Sequence, residues 1–241
     1  MSLETTIRNK ELSLSSLLNK GHFRKLAYGK GINLFIIDTG VFIDLDKNYY
    51  GNGRSGEPPA TLLSKAEEDY PLLVTKRVFE EIKDHRDKKM KINNRDEISQ
   101  PTAVLANRLY DATVDFLDEI GYNNLKESEK DFHRLCVRLA ANEAFNIDYR
   151  KGFKDRISEA DIEMTSLALD LSICTKNTMN KVSAVNILSS DAHIARTINY
   201  LKQPNEDARV PNNNAISLCS FDDYPIRVIP SRGKLSSYMT K

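Results

Sequence analysis

Four apolar residues in a row, Leu34-Phe35-Ile36-Ile37, run into Asp38-Thr39-Gly40, and no other stretch constrains the fold of this chain so strongly. Successive side chains of a strand point to opposite faces, so an apolar run without alternation belongs to a strand buried on both sides. Pro71 to Thr75 and Ala184 to Ser190 have the same character. Apolar residues at helical spacing lie between and after these runs: Val78, Ile82 and His85; Ile157, Ala160, Met164, Leu167 and Leu171; Ile194, Ile198 and Leu201. Strand alternating with helix predicts an α/β fold, a three-layer α/β/α sandwich around a central, mainly parallel sheet.

Residues 1–32 read as an N-terminal extension, with a short helix from Leu12 to Leu26 before the Gly29-Lys30-Gly31 break. Residues 33–241 read as one domain, carrying a helical insertion at about 87–153. In the insertion Asp87 to Asn94 is a charged loop, two helical patterns follow, and Gly121 stops the first of them. The tail offers one or two further short strands, the last running into Pro230. A hydrophobic fraction of 40% in 241 residues is enough for a substantial core.

Lys and Arg number 35 against 34 Asp and Glu, so the net charge of +1 gives no bulk attraction to polyanions and any basic surface is local. Cys136, Cys174 and Cys219 are far apart, with no Cys-x-x-Cys pair, and read as reduced core thiols. The N-terminus lacks the apolar core of a signal peptide, and no stretch of 18 apolar residues occurs. The expectation is a cytoplasmic protein with no membrane partner.

Asp-Thr-Gly after a strand is also the signature of aspartic proteases, which need two such aspartates sharing a proton on an all-β scaffold. This chain has one, among helical periods. In an open parallel sheet, sites form at the carboxyl ends of strands, so acids that follow strands are the candidates to join Asp38. Asp191 follows Asn186 to Ser190 and is placed to cap the next helix. Asp161 lies on the inward stripe of its helix, four after Ile157 and three before Met164, and also fits a capping box with Ser158. Glu81, beside Ile82 and three after Val78, is better placed to face inward than Glu80, in a helix capped by Thr75. Four converging carboxylates repel unless a counter-charge joins them, and an all-oxygen set without His or Cys selects Mg²⁺ or Mn²⁺ over Zn²⁺.

The ordered stretches FIIDTGVFIDL, VTKRVFEEI, ISEADIEMTSLALDLS and VNILSSDAHIA together resemble the PIN-domain ribonucleases. The resemblance covers most of 33–229, in motifs only. It implies a divalent-metal-dependent nuclease, an endoribonuclease acting on single-stranded or structured RNA. Asp38, Glu81, Asp161 and Asp191 would hold Mg²⁺ or Mn²⁺ and activate a water for phosphodiester hydrolysis. Thr39 and Ser189 match the small hydroxyl residues that accompany the first and last acids in that family. The interval between the second and third acids is longer than in its compact members, as the helical insertion requires.

Lys76, Arg77, Lys83 and Arg86 beside Glu81, and Arg150, Lys151, Lys154 and Arg156 before Asp161, bracket the acids with positive charge suited to RNA phosphates, or form solvated faces. Lys76, Arg77 and Arg156 join Thr39 and Ser189 as candidate substrate contacts. His193 reads as a surface or capping residue. Gly51 to Gly56 fits Gly-x-Gly-x-x-Gly but does not follow a strand directly, so it reads as a loop and not a dinucleotide site. Asp38 lacks the second Asp two residues on that a haloacid-type phosphatase uses. The alternative from another class is a catalytically silent PIN-like module serving as an RNA- or protein-binding scaffold, with the helical insertion as a homo-oligomer contact or partner dock.

Overall fold

A computed structural model of the chain describes residues 32–51, 54, 57–69, 71–87, 98–150, 157–177, 182–189, 191–202 and 226–230. The apolar run forms strand β1 (Ile32–Ile37), in which Leu34, Phe35, Ile36 and Ile37 are all fully buried. Consecutive buried residues on a pleated strand mean that both faces of β1 are covered. The chain continues through α1 (Thr39–Gly51), α2 (Pro59–Asp69), β2 (Leu72–Leu73), α3 (Lys76–Asp87), α4 (Gln100–Glu119), a 3₁₀ turn (Tyr122–Asn124), α5 (Glu127–Arg150), α6 (Glu159–Asn177), β3 (Val182–Ser189), α7 (Ala192–Lys202) and β4 (Ile226–Pro230). The fold is α/β, as the alternation of periods predicts.

The four strands form one parallel sheet in the order β2-β1-β3-β4. From β1 the chain first goes to one side, to β2, and then returns past β1 to β3 on the other. The winding reverses between β1 and β3, and an open α/β sheet binds ligands at the carboxyl ends of strands flanking such a reversal. Ile37 is paired with Leu188 in that register, so β1 and β3 end side by side.

The expected strand over Pro71–Thr75 shrinks to two residues because its neighbours give their backbone groups to helices. The Val74 amide donates to Thr113 Oγ1 on α4 at 2.9 Å. Thr75 caps α3, its carbonyl accepting from the Phe79 amide at 3.0 Å and its Oγ1 from the Val78 amide at 3.4 Å. Pro71 keeps a sheet contact through its carbonyl, which accepts from the Phe35 amide at 3.1 Å.

The two helices expected over 87–153 are α4 and α5, and they build part of the main core: Leu105, Ala106, Leu109, Cys136, Val137 and Ala140 belong to the same buried cluster as β1 and β3. Gly121 ends α4 in the left-handed region, φ 74°, and a Cβ there would lie 2.9 Å from Asn124 Nδ2. The start of α4 is held by Asp46 of α1. Its carboxylate accepts from Ser99 Oγ at 3.1 Å and Thr102 Oγ1 at 2.8 Å, and from the Ser99 amide at 2.5 Å. Among the described residues no helix is long and apolar enough to cross a membrane. The expected helix at Leu12–Leu26, most of the charged loop after Asp87, and Cys219 lie outside the described residues.

Candidate active site

Asp38 is the first residue past β1. Its amide donates to the Leu188 carbonyl at 3.0 Å, extending the β1–β3 ladder by one bond, and its own carbonyl accepts from Val41 at 3.0 Å as α1 begins. The side chain is therefore fixed at the mouth of the strand pair. Ser189, last in β3, donates from Oγ to Asp38 Oδ2 at 2.6 Å. The same Oγ accepts from the Asp191 amide at 2.9 Å, tying the two strand ends together. Asp191 caps α7, its Oδ1 accepting from the His193 amide at 2.6 Å. His193 meets that acid through its backbone.

Glu81, on α3, accepts at Oε2 from Thr39 Oγ1 at 2.7 Å, so α3 and the start of α1 are joined at the sheet's end. Glu80 turns the other way, lying 3.3 Å from Arg77 and 4.0 Å from Lys76. Of the two, Glu81 is the one that meets the start of α1. Asp161 opens α6 in a reciprocal capping box: the Ser158 amide donates to Asp161 Oδ2 at 2.9 Å and the Asp161 amide to Ser158 Oγ at 3.1 Å. It is nonetheless buried, on the same stripe as Ala160, Met164 and Leu171. Thr165, one turn on and fully buried, has an Oγ1 with no hydrogen-bond partner among the described residues.

Electrostatics shows that the four acids share one neighbourhood. Burial pushes the Asp38 carboxyl up to about 7. The Ser189 hydrogen bond opposes that rise, while the charges of Asp161, Asp191 and Glu81 add to it. Asp161 is raised to about 6, again chiefly by burial, with its Ser158 bonds opposing and Asp191 and Glu81 adding. Each acid spends one oxygen on an orienting bond: Asp38 Oδ2, Glu81 Oε2, Asp161 Oδ2 and Asp191 Oδ1. Among the described residues no three His, Cys, Asp or Glu side chains stand at ligand spacing for one ion, so the acids are within Coulombic reach of one another and not in a closed coordination shell.

Of the expected substrate contacts, Thr39 and Ser189 are buried and act on the acids. Lys76 and Arg77 are exposed, and their side chains pair with Glu80 on their own helix; such surface pairs contribute little. The Arg77 amide donates to Glu163 Oε2 at 2.8 Å, linking α3 to α6. Arg156 lies outside the described residues, as do Lys151 and Lys154.

The sequence reading did not single out the buried, hydrogen-bonded acids Asp46 and Asp170. Asp170, late in α6, is 2.6 Å from His133 Nδ1 and accepts from Tyr122 OH at 2.9 Å. Burial raises its carboxyl, and the bonds to His133 and Tyr122 pull it back. The signal was present, since an acid inside an otherwise apolar helix such as SLALDLS must find partners.

No protein-family model matches this sequence, and comparison with curated proteins and with solved structures gave no match.

Proposed function

We propose that the chain is a divalent-metal-dependent ribonuclease of the PIN type, cytoplasmic, hydrolysing phosphodiester bonds in single-stranded or structured RNA. The observation that carries the reading is the quartet of Asp38, Glu81, Asp161 and Asp191 at the reversal of the sheet, each oriented through one carboxylate oxygen. The same winding supports a three-layer arrangement, because right-handed crossovers running in opposite directions put their helices on opposite faces of the sheet.

By chemistry the donor set suits a hard cation, four carboxylates with no sulfur or imidazole among them, and the side chains would have to draw together to hold one, since no three of them stand at ligand spacing. Asp38, Asp161 and Asp191 would hold Mg²⁺ or Mn²⁺, with Glu81 at its edge. Bound there, the ion supplies Lewis acidity toward a phosphoryl oxygen and lowers the pKa of a water. The chain's own part is orientation. Ser189 fixes Asp38, Thr39 fixes Glu81, the capping box fixes Asp161, and the start of α7 fixes Asp191. Burial raises the Asp38 and Asp161 carboxyls to about 7 and about 6, so a cation bound beside them would favour their ionised forms.

Incubation of the purified protein with labelled single-stranded RNA and DNA, in Mn²⁺, Mg²⁺ or EDTA, tests the reading beside Asp38→Asn and Asp161→Asn. Metal-dependent cleavage of RNA that both variants lose supports it. A second reading, a silent scaffold of the same fold, is favoured by one observation: two of the acids already serve as helix caps. Binding of RNA without turnover in either metal, by a folded protein, selects the scaffold.

A further inference from the structure

Away from the acids, α1 ends in a cluster of rings and charge that the nuclease reading does not use. Val41, Phe42, Asp44, Leu45 and Asp46 of this helix are buried, and Gly40, Ile43, Lys47 and Tyr50 reach solvent. Those four lie at i, i+3, i+7 and i+10, so they form one outward stripe along the helix. The stripe starts at Gly40, beside Thr39 of the site, and ends at Tyr50, where Asn48 and Tyr49 widen it. No exposed carboxylate interrupts it, since the two acids of the helix, Asp44 and Asp46, are 4% and 3% exposed. At 1.5 Å per residue Tyr50 stands about 18 Å along α1 from Asp38.

At that far end three side chains are held together. The Tyr49 and Tyr50 rings meet edge to face with centroids 5.0 Å apart, and the Arg54 guanidinium lies over the Tyr50 ring, 5.7 Å from its centroid. Arg54 is brought back onto the helix end by its amide, which donates to the Tyr49 carbonyl at 2.8 Å. The closure holds Arg54 at φ 63°, and no other residue besides glycine has a positive φ among the described residues. The left-handed region is costly to a residue with a Cβ, and strain of this kind clusters at ligand sites. Arg54 makes no ion pair among the described residues, so its N–H donors are not spent on a carboxylate.

The geometry points to a binding step for single-stranded RNA at Tyr49, Tyr50 and Arg54, reached from the acids along the outward stripe of α1. An unpaired base stacks against the Tyr50 ring and the guanidinium plane, and the guanidinium N–H groups take the adjoining phosphate. Stacked nucleotides rise about 3.4 Å each, so roughly five of them span the distance from Asp38 to Tyr50. The step deepens the ribonuclease reading and rests on it for the identity of the strand, but it uses none of the four acids.

Fluorescence anisotropy of a labelled, unstructured RNA dodecamer in EDTA, where no metal supports cleavage, tests the step. Saturable binding by wild type is expected, and Arg54→Gly should weaken it roughly tenfold, the order of one lost stack. The same variant should not lose stability in urea, because glycine suits φ 63°; a purely structural Arg54 would show the reverse, lower stability with unchanged binding. Tyr50→Ala should weaken binding as much as Arg54→Gly, and Tyr50→Phe, which keeps the ring face, should bind like wild type. An RNA duplex of the same sequence should compete poorly, since its bases are stacked inside the helix. Absence of saturable binding by wild type, unchanged binding in both Arg54→Gly and Tyr50→Ala, or a duplex that competes as well as the single strand overturns the proposal. Binding that these variants weaken, by a protein that cleaves nothing in Mn²⁺ or Mg²⁺, keeps this site and removes the nuclease; cleavage without any such weakening does the opposite.

Discussion

Ser189 Oγ donates to Asp38 Oδ2 at 2.6 Å while accepting from the Asp191 amide, so one hydroxyl joins residues that lie 153 positions apart at the ends of neighbouring parallel strands. The bond favours the ionised form of Asp38 against the effect of burial. Ser189→Ala removes it with no change of shape. The Asp38 carboxyl should then titrate above its present value of about 7, and stability should fall by about 1 kcal/mol for the lost bond. Carboxyl carbon NMR titration measures the first effect and urea unfolding the second. An unmoved Asp38 titration would show that the hydroxyl does not control this acid.

Asp38 also sets a pH dependence whose sign is opposite to that of a salt-bridged aspartate. Its folded value lies above its unfolded 3.8, so between about 4 and about 7 the folded state binds the extra proton and stability falls as pH rises. The distance from 3.8 to about 7 corresponds to roughly 4 kcal/mol, an upper bound for this one group. In EDTA, wild type should be less stable at pH 8 than at pH 5, and Asp38→Asn should flatten the difference and be the more stable protein at pH 8. Added Mn²⁺ should restore wild type at pH 8 by mass action and have little effect on Asp38→Asn. The same pH slope in both proteins would place the charge cost elsewhere.

The sequence carries the strand ends and the caps of this site but not its closure. Leu34 to Ile37 reads as a doubly covered strand and is one, and the caps at Thr75, Ser158 and Asp191 follow from local rules that the structure repeats, whereas the Asp38 carboxylate takes Ser189 from the neighbouring strand. The short β2 was not legible, because its length depends on Thr113 of α4 taking the Val74 amide, a partner 39 residues away. Asp46 was equally hidden, since its partners Ser99 and Thr102 lie across a long connection. The expected insertion was legible as two helices but not as core, because periodicity shows which face is apolar and not what it packs against.

Neighbouring glutamates offer a control inside one helical turn. Glu81 accepts from Thr39 beside the acids, and Glu80 pairs with Lys76 and Arg77 on the exposed side of α3. In the cleavage assay Glu81→Gln should lower the rate by a hundredfold or more, the order of loss for an electrostatic group in a reaction centre. Glu80→Gln should leave it within about twofold, as surface pairs of this kind contribute under 1 kcal/mol. Equal losses in the two variants would remove Glu81 from the site.

Gly121 separates the conformational demands of α4 from the chemistry. Its φ of 74° is open to glycine and costly to other residues, and an alanine Cβ would also press on Asn124 Nδ2 at 2.9 Å. Gly121→Ala should destabilise by about 1 to 2 kcal/mol in urea unfolding, since backbone strain of this kind carries about that cost. The acids sit on other elements, so cleavage per folded molecule should not change. Gly121→Asn, which tolerates the left-handed region better, should recover part of the loss. If alanine proves as stable as glycine, the turn after α4 does not require the left-handed conformation.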